Sequence, residues 1–175
     1  MPDKYQLCDQ SFPPNRLIIP HDNYHGKYVG ITESGDQFFI TTPFTFEGSS
    51  CDNKEFVACY IFHQDGEIKK AEIEELGSRA SIIGQHQAKI LPGMTISKNQ
   101  ETEELIRKFL NELGEIAYKD ISVAPFEINK FGVQFGLIPF PDDDDDDDDE
   151  EEGTVILLPG NYMAFYSPWN GDYDT

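Results

Sequence analysis

Hydrophobic and polar residues alternate in several short stretches of this chain, and the pattern predicts mainly β-strands. Residues 27–32 (KYVGIT) and 37–42 (QFFITT) are rich in β-branched and aromatic residues, and a short polar turn containing Gly35 separates them. This arrangement predicts a β-hairpin. We expect its second strand to end before Pro43, because proline cannot donate to a strand ladder. Residues 55–63 (EFVACYIFH) are almost continuously apolar, which is typical of a central strand buried on both faces.

The segment 66–76 (GEIKKAEIEEL) fits two structures. Its apolar residues do not settle between the two-residue period of a strand and the 3.6-residue period of a helix. The Asp65-Gly66 turn directly before it favours a second hairpin arm. A helix remains the alternative.

The clearest helical pattern spans residues 98–113. Acidic residues lie in its first turn and basic residues follow later, as the helix dipole prefers. Gly114 is suited to end the helix in a left-handed conformation. The apolar residues recur at helical spacing and share one face: Leu105, Ile106, Phe109, Leu110 and Leu113. We therefore expect this to be the main helix, with Phe109 in the core.

The residues after the helix predict further strands in 116–128, 130–140 and 154–159. Within 130–140, apolar residues alternate with Gly132, Gln134 and Gly136. One face of that strand is therefore heavily apolar and the other is nearly bare. Glycines at alternate positions indicate close packing against the bare face, by the helix or by an aromatic side chain.

These elements together predict an α+β fold in which an antiparallel sheet of about six or seven strands packs on the helix 98–113. The length of 175 residues suits one domain. Residues 26–175 would form that domain. Residues 1–25 contain four prolines and predict an irregular arm with one short strand at Leu17–Ile19.

An acidic run separates two of the predicted strands. It consists of eight aspartates at 142–149 followed by three glutamates at 150–152, and these residues are eleven of the 33 acids that give the chain a net charge of −20. Adjacent like charges repel one another and cannot be buried. The run therefore predicts a solvated, disordered loop, spanning 141–153, inserted in a hairpin.

Charge and composition exclude several functional classes. A strongly acidic chain is unsuited to binding DNA, RNA or an anionic membrane surface. No apolar run approaches the roughly 20 residues needed to span a bilayer. The N-terminus lacks the pattern of a secretory signal, so we expect a cytoplasmic protein. The three cysteines have no CxxC spacing and do not predict a disulfide framework.

Motifs for catalysis or cofactor binding are absent from the sequence. There is no GxSxG elbow and no glycine-rich phosphate loop. His21 and His25 have the i, i+4 spacing of a helical metal site, but Pro20 and Gly26 flank them, so a turn or surface role is favoured. Cys59 lies in an apolar run that predicts an inert, buried thiol. We therefore assign no catalytic, cofactor-binding or metal-binding residue.

Two features could bind a partner. The acidic run could bind a basic protein, hold calcium loosely, or be a low-complexity expansion without function, which is the favoured interpretation. The aromatic tail could dock on the core as a last strand, which is favoured, or form a partner-binding surface. The candidate partner-binding residues are acids of the run and aromatic residues of the tail: Asp142, Asp145, Asp149, Glu152, Tyr166, Trp169 and Tyr173.

The function that fits these observations is a non-catalytic protein-binding or regulatory module, such as a toxin-neutralising immunity protein, with a basic protein as the partner. Charge steers association with partners of opposite charge. The alternative is a small-ligand enzyme or hydrolase whose site is assembled from scattered residues.

Three stretches also resemble a known family. They are 26–44 (GKYVGITESGDQFFITTPF), 113–139 (LGEIAYKDISVAPFEINKFGVQFGLIP) and 157–175 (LLPGNYMAFYSPWNGDYDT). Together they resemble a family of small bacterial proteins, some of which are labelled formate hydrogenlyase regulatory protein. The resemblance covers most of residues 26–175 and implies no catalytic residues. It implies that the acidic stretch lies in a loop of variable length between two strands.

Overall fold

The computed structural model describes residues 12–45, 54–78, 100–142, 153–160 and 163–175, and most of them lie in β-strands. The described residues form twelve strands and one helix. In chain order these are β1 Leu17–Ile19, β2 Tyr28–Thr32, β3 Gln37–Thr41, β4 Lys54–Phe62, β5 Ile68–Ser78, α1 Gln100–Leu113, β6 Ile116–Tyr118, β7 Ile121–Val123, β8 Phe126–Lys130, β9 Val133–Pro141, β10 Gly153–Leu158, β11 Ala164–Tyr166 and β12 Tyr173–Asp174.

The strands form three sheets. The first sheet has five strands in the order β5-β4-β3-β2-β6, and the second has five in the order β12-β11-β10-β9-β8. Strand β1 pairs with β7 in a small third sheet. All of these pairings are antiparallel.

The main core lies between the two five-stranded sheets and is largely aromatic. Phe56 of the first sheet packs edge-on against Phe135 of the second, with the ring centroids 5.0 Å apart. Tyr60 and Phe62 pack against Phe126 in the same way, at 4.8 and 5.4 Å. The two sheets therefore form a sandwich whose interior is filled by side chains that alternate along each strand.

Helix α1 covers the outer face of the first sheet. Its buried residues Ile106 and Phe109 pack on a second, smaller apolar cluster built from β3 and β4: Phe38, Ile40, Val57 and Cys59. The helix ends where the sequence predicts, because Gly114 follows it with a φ of +77°. The described residues thus form three layers, with the helix outside the sandwich.

The predicted α+β fold, with one antiparallel sheet packed on a main helix, is wrong, because the described residues are mostly β-strand and form three sheets with a single helix. The strands after the helix do not extend the first sheet; β8 to β12 form a second sheet that packs face to face with it. Their alternating pattern shows that each strand has one apolar face, but the same pattern suits a sheet packed on a helix and a sheet packed on a sheet. The predicted strand 116–128 also divides into β6, β7 and β8.

Several local predictions are confirmed. Strands β2 and β3 pair as a hairpin, and β3 ends at Thr41, before Pro43. Strand β4 lies inside the first sheet between β3 and β5. The ambiguous segment 66–76 is a strand and not a helix, because β5 pairs with β4 along its length.

The described part of the N-terminal arm contributes side chains to the core. Leu17 and Ile19 of β1 are fully buried in the main cluster. Arg16 donates to the carbonyl oxygen of Asp65, and its guanidinium lies 3.2 Å from the carboxylate of Glu67. These contacts tie the beginning of β1 to the turn between β4 and β5.

The acidic run connects two neighbouring strands of the second sheet. Pro141 at the end of β9 is the register partner of Gly153 at the start of β10. Residues 143–152 lie outside the described residues, so the predicted disorder of this loop stays a prediction. The two residues that flank it, Pro141 and Gly153, nevertheless lie side by side at one end of the sandwich.

Candidate partner-binding surface

The outer face of the second sheet carries a row of three exposed or half-buried side chains next to the acidic run. Thr154 of β10 lies directly opposite Phe140 of β9 and opposite Tyr166 of β11. Residues directly opposite each other in antiparallel strands project from the same face. Phe140 and Tyr166, which are 40% and 36% exposed, therefore flank Thr154 on that face.

The next rows of the same face are also apolar. Ile156 lies opposite Ile138 and Ala164, and Leu158 lies opposite Gly136. The intervening residues Val155 and Leu157 are fully buried in the sandwich, so these side chains point away from it. We call the following six half-buried or exposed residues the outer stripe: Ile138, Phe140, Ile156, Leu158, Ala164 and Tyr166.

The outer stripe is bordered by acidic and neutral residues. Glu127 of β8 lies opposite Gly136, and Asp174 of β12 lies opposite Ala164, so each projects from the outer face at one edge of the sheet. Asn129 and Gln134 complete the outward-facing positions of β8 and β9. Among the described strand positions of this face, none is lysine or arginine. The described border of the stripe therefore carries negative charge.

The acidic run begins at this surface. Asp142 is exposed and follows Pro141, the residue after Phe140 of the stripe. Asp145, Asp149 and Glu152 lie outside the described residues. The run joins two strand ends that border the row of Phe140, Thr154 and Tyr166, which places its attachment points directly beside exposed apolar side chains.

The structure separates the aromatic residues of the tail. Trp169 is 1% exposed, lies in the main cluster, and packs near Phe12 with a centroid distance of 6.2 Å. Its backbone carbonyl oxygen accepts a hydrogen bond from the amide of Ile18, at 3.0 Å. The Trp169 ring thus fills the core and does not contribute to an accessible surface. Tyr166 remains on the surface.

Tyr173 joins the tail to the N-terminal arm. Its hydroxyl donates to Oδ2 of Asp22 at 2.6 Å, and Oδ1 of Asp22 accepts from the backbone amides of Tyr24 and Gly26, both at 2.8 Å. Burial works to raise the pKa of Asp22, but these hydrogen bonds outweigh it and the net effect is a lowered pKa. Burial, followed by the bond to Asp22, raises the pKa of Tyr173 to about 12. This bond is structural, and Tyr173 is half-buried.

The two histidines of the arm have different aromatic neighbours. His21 stacks on Tyr118 with a centroid distance of 5.1 Å, whereas His25 lies between Tyr24 at 4.0 Å and Tyr173 at 6.1 Å. Their predicted turn or surface role agrees with this loop setting. Within the ranges that the structure describes, no group of three or more His, Cys, Asp or Glu side chains could hold a metal ion.

The thiol of Cys59 is buried under the helix. Desolvation, with smaller contributions from the carboxylates of Glu72 and Glu112, raises its pKa to about 12. A thiol with this pKa is protonated at neutral pH and is a poor nucleophile. The predicted burial of this cysteine is confirmed, and its inertness stays a prediction.

Sequence reasoning missed most of the outer stripe. The sequence predicts Ile138, Phe140 and Ile156 as strand residues, but it does not show which face of the sheet each of them occupies. Their alternation with buried Leu137, Val155 and Leu157 is the signal that could have found them.

Comparisons of the whole chain with protein-family models, with curated proteins and with solved structures find no match. The resemblance to the proteins labelled formate hydrogenlyase regulatory protein therefore stays a prediction. No helix among the described residues is long and apolar enough to cross a membrane.

Proposed function

We propose that this protein is a non-catalytic protein-binding module that acts in the cytoplasm as a regulator of its partner, such as an immunity protein. The outer stripe and the acidic run would together bind a segment of another protein that carries both basic and apolar side chains. The observation that supports this proposal is the exposed aromatic pair Phe140 and Tyr166, fixed beside the attachment points of the run.

The two outer faces of the sandwich differ in what covers them. Helix α1 packs its apolar face on the outer face of the first sheet. The residues of the outer stripe belong to neither of the buried clusters formed by the described residues. Contiguous apolar side chains on a surface mark sites where another molecule binds. The outer face of the second sheet is therefore a better candidate for partner binding than that of the first sheet.

Apolar and acidic groups would have separate roles in such a complex. Burial of Phe140, Tyr166 and the isoleucines would provide affinity, since aromatic side chains dominate binding energy at interfaces. The acidic run and the border residues Glu127 and Asp174 would attract basic residues over distance and select against acidic proteins. A partner with only basic residues would satisfy the run but not the stripe.

The experiment is an affinity capture from native lysate at low and moderate salt, with identification by mass spectrometry. We would compare the wild type with two variants: Phe140→Ser combined with Tyr166→Ser, and a chain in which residues 142–152 are a Gly/Ser linker of equal length. We expect the wild type to retain a basic protein in stoichiometric amount. Both variants should lose this protein at moderate salt. The linker variant should also lose it at low salt.

The control is Tyr24→Ser, which removes an aromatic side chain that is 68% exposed but lies on the N-terminal arm. This variant should retain the partner as the wild type does. Capture of the same proteins by the wild type and by the Phe140→Ser, Tyr166→Ser variant would contradict the proposal. Recovery of the wild type alone at both salt concentrations would also contradict it and would favour a small-molecule function.

A further inference from the structure

A cleft of about 490 Å³ lies on the helix side of the first sheet. None of the described residues that line it belongs to the outer stripe. Strands β2 and β4 begin at the cleft, β3 and β5 end there, and the first turns of α1 form the opposite wall. Clefts of roughly 300–1,000 Å³ are the usual size of sites for small ligands.

The floor of the cleft is apolar. Ile106 of α1, Leu76 of β5 and Tyr28 of β2 line it, and all three also belong to the cluster between the helix and the first sheet. A ligand placed there would extend that cluster. The floor therefore suits an apolar body, either aliphatic or aromatic.

Among the described residues on the rim of the cleft, acidic side chains outnumber basic ones. Glu55 and Glu103 lie on it with one lysine, Lys27. His25 is also on the rim, and burial lowers the pKa of its ring, which favours the neutral form. The strong net negative charge of the chain adds to the local imbalance and attracts cations.

We infer that the cleft binds a small amphiphilic amine, with an apolar body on the floor of Tyr28, Leu76 and Ile106 and an ammonium group at the rim beside Glu103. Thr102, in the same turn of α1, also lines the cleft. This inference is independent of the proposed function, since the cleft belongs to the first sheet and the outer stripe to the second.

The test is a chemical-shift titration of the labelled full-length chain with two matched probes. Phenethylamine carries the ammonium group, and 3-phenylpropionate carries a carboxylate on a body of similar size. We expect phenethylamine to saturate with a dissociation constant on the order of millimolar, because a ligand of this size has few contacts. Shifts should be confined to Tyr28, Leu76 and residues 102–106. The carboxylate should bind at least about tenfold more weakly.

Two pairs of variants locate the site. Glu103→Gln should weaken phenethylamine binding about fivefold, whereas Glu104→Gln, the same change at an exposed position outside the cleft, should leave it unchanged. Thr102→Trp should fill the cleft and abolish binding, whereas Glu101→Trp should not. Unaltered helical circular dichroism in each variant would show that the helix is retained.

Equal binding of the amine and the carboxylate would overturn the inference, and so would equal effects of Glu103→Gln and Glu104→Gln. Shifts spread over the outer stripe in place of the cleft residues would also overturn it. Failure of this titration would leave the capture of a basic protein partner unaffected, so the two proposals can fail separately.

Discussion

Gly132 and Gly136 look alike in the sequence, but they have different roles in the structure. Gly132 lies in the turn between β8 and β9 with a φ of +71°, and a Cβ added there would meet no atom within 4 Å. Gly136 lies inside β9 with a φ of +138°, and its Cβ would lie 2.0 Å from the carbonyl oxygen of Phe126. The close approach predicted from the alternating glycines is real at Gly136, but the neighbour is the backbone of β8. It is neither the helix nor an aromatic ring.

Gly136→Ala should therefore destabilise the protein far more than Gly132→Ala. Gly132→Ala introduces only the strain of a left-handed backbone, which is about 1 kcal/mol. Gly136→Ala adds a clash with a paired strand, and we expect it to lower the free energy of unfolding by more than about 2 kcal/mol. Denaturant unfolding followed by the fluorescence of buried Trp169 measures both. Equal losses would show that β8 can move away from β9 at little cost.

The hydrogen bond between Tyr173 and Asp22 gives a pH-dependent prediction. Tyr173→Phe should cost about 1–2 kcal/mol at neutral pH, because it removes a hydrogen bond to a charged acceptor. The folded state raises the pKa of Tyr173 from 10.0 to about 12, so it favours the protonated phenol. The stabilisation from Tyr173 is then complete below pH 10 and is lost as the pH rises toward 12.

The stability difference between the wild type and Tyr173→Phe should accordingly shrink between pH 10 and 12. Tyr166→Phe is the control, because Tyr166 is a tyrosine of the same sheet with an exposed side chain. Chemical unfolding at a series of pH values measures the difference. A difference that stays constant up to pH 12 would mean that the phenol is not held in its protonated form.

At the scale of single elements, the helices and strands that the sequence predicts correctly are those in which the spacing of apolar residues is regular. Helix α1 and the hairpin of β2 and β3 have regular patterns, and the structure confirms them. Strand β5 was ambiguous for a physical reason. Its pairing with β4 shifts register between Ile61 and Phe62, so that Ile68 and Ala71 both pack against the main core although they lie three residues apart. A bulge of this kind imitates helical spacing in the sequence.

The substitution Phe109→Ala tests how α1 is attached to the first sheet. Phe109 is fully buried in the cluster between the helix and β3 and β4. Removing its ring leaves a cavity that a paired sheet cannot collapse to fill, so we expect a loss of about 3–5 kcal/mol. Arg107→Ala, at an exposed position of the same helix, should change stability by less than about 0.5 kcal/mol. Thermal or denaturant unfolding of the two variants compares them, and similar small losses would mean that the helix is only loosely docked.

At the scale of the whole molecule, the sequence could predict strands but not layers. The tail shows why. Its density of aromatic residues suited both a docked strand and a binding surface, and the structure divides it, with Trp169 in the core and Tyr166 outside. Whether a strand residue faces the core depends on which strands become neighbours in space. The chain brings β1 against β7 and β12 against β11, and neither pairing follows from a local pattern.

The same limit applies to the candidate surface. The acidic run is evident in the sequence, and its position between two strands was predicted correctly. The outer stripe beside it combines residues from β9, β10 and β11, which become one surface only when the three strands are in register. Charge could therefore be assigned from the sequence, whereas the apolar part of the surface required the fold.

Hydroxyl-radical footprinting with mass spectrometry tests the central claim most directly, because it reports the exposure of individual aromatic side chains. The probe would be a synthetic amphipathic peptide of leucine and lysine, added to the full-length protein. In the free protein, Phe140 and Tyr166 should be modified and Trp169 protected. With the peptide, Phe140 and Tyr166 should become protected, while Tyr24 and Tyr118, which are exposed elsewhere, should be modified as before. Modification of Phe140 and Tyr166 that is unchanged by saturating peptide would contradict a partner-binding role for the outer stripe.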